Sequence, residues 1–117
     1  MMELTWQDVD QRIEQLKLQG RKIWGIPRGG SIVAGLARQY GAIAVEQPME
    51  ADIAVDDIID SGQTRTRIWE KYQLETLPLV NKMTEGIHGW VHFPWEEAPD
   101  QDISASIVRC LEYLGED

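Results

Sequence analysis

The chain has 117 residues, 43% of them hydrophobic, and a formal net charge of −9. This length suits one domain with its own core, the composition argues against disorder, and the charge argues against nonspecific binding to nucleic acid or anionic membrane, which needs clustered Lys and Arg. The single cysteine, Cys110, excludes an internal disulfide and suits a reducing compartment.

The opening Met-Met-Glu-Leu-Thr-Trp-Gln-Asp lacks the basic and apolar regions of a signal peptide. No apolar run approaches the ~20 residues of a membrane span, so a cytoplasmic setting is expected. Thr5 followed by Asp8 is a loose relative of a capping box. Trp6, Val9, Ile13 and Leu16 then recur at helical spacing, up to Gly20. Residues 22–26 read as a strand that Pro27-Arg28-Gly29-Gly30 breaks. Ser31 is the expected cap of a helix carrying Ile32, Val33, Leu36 and Tyr40 and closed by Gly41. Residues 42–45 form a short apolar strand, and 53–55 begin another. A glycine loop at Ser61-Gly62-Gln63 leads to a polar helix over about 64–72. Residues 76–80 and 90–93 read as strands, and 94–102 as irregular. A last amphipathic helix is expected over about 103–114, with Cys110 in its apolar stripe as a core residue rather than a nucleophile. Short strands alternating with helices predict an α/β fold, a mostly parallel sheet flanked by helices on both faces.

In such sheets ligands sit beyond the carboxyl ends of the strands. Asp56 and Asp57 end an apolar strand, and the turn Asp60-Ser61-Gly62-Gln63-Thr64 precedes a helix. That turn directs backbone N–H groups to one point at the positive end of the helix. Gly62 allows close approach, and the Ser61 and Thr64 hydroxyls add donors. Adjacent carboxylates repel a phosphate but accept from vicinal hydroxyls, so the whole suits a ribose 5-phosphate; the alternative is a solvated acidic turn. The Walker pattern of a triphosphate loop is absent. Gly25-Ile26-Pro27-Arg28-Gly29-Gly30 reads as a second anion site with an arginine, or as a plain turn. His88 and His92 lack partners at zinc spacing and read as structural or solvated.

Residues 55–64, Val-Asp-Asp-Ile-Ile-Asp-Ser-Gly-Gln-Thr, resemble the signature of type I phosphoribosyltransferases, which bind 5-phosphoribosyl 1-diphosphate. Residues 25–30 are similar to the pyrophosphate loop of that family, where a cis non-proline peptide often precedes the arginine; the matching bond is Pro27–Arg28. Lys82 resembles the lysine that donates to purine O6 in 6-oxopurine members, and a side chain with donors only favours a keto oxygen over an amino group. Trp90-Val91-His92-Phe93-Pro94-Trp95-Glu96 is similar to the hood that ends the bacterial xanthine-guanine branch.

The resemblance implies a single compact phosphoribosyltransferase-like domain over 1–117, with a core over about 20–82 and a small C-terminal hood over about 83–98. It implies transfer of the phosphoribosyl group to guanine, xanthine or hypoxanthine, giving a nucleoside 5′-monophosphate and diphosphate. Asp56, Asp57, Asp60, Ser61, Gly62, Gln63 and Thr64, with Pro27, Arg28, Gly29 and Gly30, are the implied donor-binding residues. Asp60 would take or share the base proton and Arg28 would stabilise the leaving diphosphate; these are the implied catalytic pair. Trp90 would stack on the purine and the Val91 carbonyl would accept from a 2-amino group, beside Lys82. Mg²⁺ is the implied cofactor, held by Asp56 and Asp57 through water. A homo-oligomer, dimer or tetramer, is expected, with no membrane or nucleic-acid partner. One departure stands out. Family members carry a long flexible closing loop before the strand with the acids, and here only residues 46–51 bridge the matching strands. The alternative is thus a protein of the same fold that binds donor or nucleotide with little turnover.

Overall fold

In the computed structural model, which describes residues 2–96, the first strand β1 is Met2–Glu3 and the first helix α1 is Trp6–Gln15. The helix starts at a full capping box. The Asp8 N–H donates to Thr5 Oγ1 at 3.1 Å, and the Thr5 N–H donates to Asp8 Oδ2 at 2.9 Å. Val9 and Ile13 face the core, and the left-handed Lys17 (φ 53°) turns the chain away. The helix expected over 103–114, including Cys110, lies outside the described residues.

Strand β2, Lys22–Gly25, runs into helix α2, Gly29–Ala37, with almost no loop. The expected cap at Ser31 is not there: Arg28 is the N-cap, without a side-chain cap bond, and Ser31 lies inside the helix. The reason is glycine packing. A Cβ on Gly25 would strike the Gly30 carbonyl, and a Cβ on Gly30 would strike the Val55 carbonyl. Without those atoms the helix folds straight back onto the strand it leaves. It ends through a 3₁₀ turn, Arg38–Tyr40, closed by Gly41 at φ 83°, as the glycine predicted.

Strands β3 (Ile43–Ala44), β4 (Ile53–Ile59) and β5 (Thr76–Asn81) complete a parallel sheet of order β3-β2-β4-β5. Pro78 is tolerated in β5 because that strand is an edge. Side chains alternate across the sheet. Ile23, Ile53 and Val55 meet Val9, Ile13, Val33 and Leu36 of α1 and α2. Ala54 meets Leu74 and the half-buried Ile68 and Tyr72 of helix α3, Gln63–Tyr72, on the other face. The short helix α4, Lys82–Glu85, follows β5.

The strand expected over 90–93 does not join this sheet. As β6, Val91–His92, it pairs in parallel with β1, Met2 opposite Val91 and Glu3 opposite His92. Phe93 stacks on Trp95 at 4.7 Å between ring centroids, and Trp95 meets Trp6 at 6.1 Å. The hood is thereby fastened to the start of the chain. Among the described residues no helix is long and apolar enough to cross a membrane.

Candidate active site

From β2 the chain moves outward to β3 and then returns to the opposite side of β2 for β4. A crevice opens where strand order reverses, beyond the carboxyl ends of β2 and β4. Two helices begin there. The N–H groups of Gly29 and Gly30 start α2, and those of Thr64 and Arg65 start α3; among the described residues no hydrogen bond satisfies these four. Gly62 (φ 87°) bends the chain into α3, and the Gln63 N–H donates weakly to Ser61 Oγ at 3.4 Å. Two clusters of free donors thus face one crevice at positive helix ends, an arrangement that attracts anions.

The acid pair lies between them. The Asp57 carboxylate rests against Gly29, where a Cβ would collide with it. Asp56 Oδ1 accepts from the Asp57 N–H at 2.9 Å, and Asp57 Oδ1 accepts from the Ile58 N–H at 2.8 Å. Burial, and then the neighbouring Asp57, push the Asp56 carboxyl up to about 8. Asp56 therefore keeps its proton near neutrality, and its carboxyl both donates and accepts. Asp56, Asp57, Asp60, Ser61, Gly62, Gln63 and Thr64 share one cavity of about 260 Å³. Pro27 and Arg28 do not line that cavity; they lie exposed just before α2, joined by a cis peptide bond as the loop's resemblance implied. Among the described residues the Arg28 guanidinium has no partner.

Lys82 reaches this site from the end of β5. Its Nζ lies 3.3 Å from Asp60 Oδ1 and donates to the Gly89 carbonyl at 2.7 Å. The Lys82 side chain is 16% exposed and that of Asp60 is 75% exposed. The hood residues divide in two. Trp95, expected in the hood, is buried at 4% exposure, whereas Trp90 stands 65% exposed. Period-two alternation explains it: Val91 and Phe93 turn inward, so Trp90 and His92 turn outward. The Trp90 and His92 carbonyls accept from the N–H groups of Met2 and Leu4, which leaves the Val91 carbonyl pointing away from β1.

Glu96 is the acid that ends the hood-like stretch 90–96, and the sequence reading assigns it no role of its own. Burial raises its carboxyl above the ordinary range; His92 and the Trp90 indole oppose that shift, and Asp57 adds to it. The hood end therefore lies within electrostatic reach of the acid pair. No sequence signal marks that proximity, because it depends on where β6 is fastened.

The connection from β3 to β4 stays away from the crevice. The Val45 N–H donates to the Ile23 carbonyl and the Asp52 N–H to the Lys22 carbonyl, both at 2.8 Å. Both ends are thus held at the amino end of β2, and a 3₁₀ turn, Pro48–Glu50, joins them. Among the described residues no three His, Cys, Asp or Glu side chains converge as a metal cage. Mg²⁺ takes one or two protein oxygens when water supplies the rest; Asp57, with Asp56 once it releases its proton, would offer them.

No family model matches the chain, and no curated protein matches it. Among solved structures it is similar to the purine phosphoribosyltransferase from Pyrococcus horikoshii Ot3, with a TM-score of 0.59 and 22% sequence identity. The match covers 86% of this chain and 97% of that one. At that identity the likeness speaks for the fold: the chain has a compact phosphoribosyltransferase-like α/β fold, with the N-termini of α2 and α3 at the switch point of the sheet.

Proposed function

We propose that the protein transfers the 5-phosphoribosyl group from 5-phosphoribosyl 1-diphosphate to a 6-oxopurine, giving the nucleoside 5′-monophosphate and diphosphate. The observation that carries this reading is the acid pair between two helix N-termini, with Lys82 ion-paired to Asp60 at 3.3 Å beside it. In this reading the α3 amides with Ser61 and Thr64 seat the 5-phosphate, and Gly29, Gly30 and Arg28 seat the diphosphate. Asp56 and Asp57 hold the ribose hydroxyls. When bound, Mg²⁺ neutralises the diphosphate charge, and Asp56 and Asp57 are the residues to hold it.

A purine nitrogen attacks ribose C1 as the bond from C1 to the diphosphate oxygen breaks, the electron pair leaving with the diphosphate. Arg28 stabilises that charge, and Asp60 takes the proton of the base. Lys82 donates to the keto oxygen, Trp90 stacks on the ring, and the Val91 carbonyl accepts from a 2-amino group. The structural neighbour named as a purine phosphoribosyltransferase supports this class of reaction. A cytoplasmic setting and a dimer or tetramer belong to the same proposal.

A second reading, donor or nucleotide binding with little turnover, is favoured by two observations. Asp60 and Trp90 are largely exposed, and the β3–β4 connection is held at the far end of the sheet. Diphosphate release with donor, Mg²⁺ and each of guanine, xanthine, hypoxanthine and adenine separates the two. Release with a 6-oxopurine but not with adenine is expected. Calorimetric donor binding with no release from any base would establish the second reading. Asp60→Asn should keep donor affinity and lose roughly 10²–10⁴ in rate; an unchanged rate would remove Asp60 from the chemistry.

A further inference from the structure

Arg12 has no place in the site described so far, yet its side chain ties α1 to two later elements. Its Nη1 donates to the Leu79 carbonyl of β5 at 2.9 Å and to Glu85 Oε1 of α4 at 3.0 Å. The other carboxylate oxygen, Glu85 Oε2, accepts from the Asn81 N–H at 2.8 Å. The Asn81 side chain in turn accepts from the N–H groups of Met83 and Thr84 and caps α4. These bonds enclose one residue from both sides: Lys82, the first of α4. Beyond Lys82, its own Nζ reaches the Gly89 carbonyl and Asp60.

We propose that Arg12, acting through Glu85, is a positioning residue for Lys82. It fixes the backbone from which the lysine reaches the purine pocket, and so governs affinity for the base rather than for the phosphoribosyl donor. This rests on the proposed function for the role of Lys82, and on the hydrogen bonds alone for the clamp. An exposed ion pair by itself contributes little. Here the Arg12 side chain is 25% exposed and also satisfies a carbonyl of the edge strand β5, so its loss frees two acceptors beside α4, the Leu79 carbonyl and the Glu85 carboxylate. Arg12 and Glu85 line an open cleft of about 600 Å³, so truncating either leaves no sealed void.

The test is a double-mutant cycle in the full chain. Arg12→Gln should raise KM for the base by about 5- to 10-fold while donor affinity by calorimetry stays within about twofold, and Glu85→Ala should behave alike. In a Lys82→Met background the same Arg12→Gln change should alter KM for the base by less than about twofold, because its effect passes through the lysine. Additive effects, or a loss of donor affinity with base KM unchanged, would overturn the proposal. Hydrogen exchange gives a readout that does not depend on turnover. Arg12→Gln should speed exchange over residues 81–89 by about tenfold and leave residues 55–64 unchanged. If wild-type protein releases no diphosphate with any base, the proposed function has failed. The exchange result then decides the clamp alone, and equal exchange over 81–89 in both proteins overturns it.

Discussion

Gly29 has no room for a side chain, because the Asp57 carboxylate occupies the space that a Cβ would fill. The glycine therefore does more than ease a turn: it brings a helix N-terminus against the acid pair. Gly29→Ala should push the Asp57 carboxylate aside and misplace the first amides of α2. The expected result is a loss of donor affinity of at least about tenfold, with a stability cost of about 1–3 kcal/mol from overpacking. Calorimetry with donor and Mg²⁺, alongside a thermal melt, checks both. Unchanged affinity would mean that the amides and the carboxylate do not act on one ligand.

At the scale of elements, the helices divide the work. Helices α2 and α3 present their N-termini to the crevice, whereas α1 packs on the sheet and sends Arg12 toward α4. The capping box at Thr5 should thus matter to stability and not to chemistry. Thr5→Ala is expected to lower unfolding free energy by ~1 kcal/mol by denaturant titration. Turnover and base KM should stay near wild type, because Arg12 lies well beyond the first turn. A large rise in base KM would show that the whole of α1, not Arg12 alone, supports Lys82.

For the whole molecule, the acid pair is a cost that folding carries at neutral pH. Asp56 titrates near 3.8 when unperturbed, and burial followed by Asp57 raises it to about 8 in the folded chain. Between those values the folded state holds a proton that the unfolded state has released. Stability is then greatest at the acid side of the window and falls as pH rises from 3.8 toward about 8, with no further loss from this group above that. Asp56→Asn removes the titration. In metal-free buffer its melting temperature should fall less than that of wild type between mildly acidic and mildly alkaline pH. Parallel slopes for the two proteins would show that Asp56 is not the group responsible.

Local chemistry was legible because it is carried by neighbours in the chain. The paired acids Asp56 and Asp57, the glycine turn at Gly62, the turn around Arg28 and the stop at Gly41 each depend on a few consecutive residues, whose backbone preferences and hydrogen-bonding groups are written in order. The strand end expected at the acids is displaced, because β4 runs on to Ile59, held by the pairing of Ile58 and Ile59 with Val80 and Asn81 of β5. The alternation of short apolar strands with helices likewise predicted the parallel sheet. Ser31 misled, because the start of α2 is set by Gly25 and Gly30 packing against each other and against β4, which involves residues remote in sequence. Tertiary structure alone decided that β6 pairs with β1, so that Trp95 is core and Trp90 is exposed. It alone joined Lys82 to Asp60, and Arg12 to Glu85 across 73 positions. Such pairs carry no periodicity or spacing, since their distance is set by how the sheet and its two helical layers close around the core.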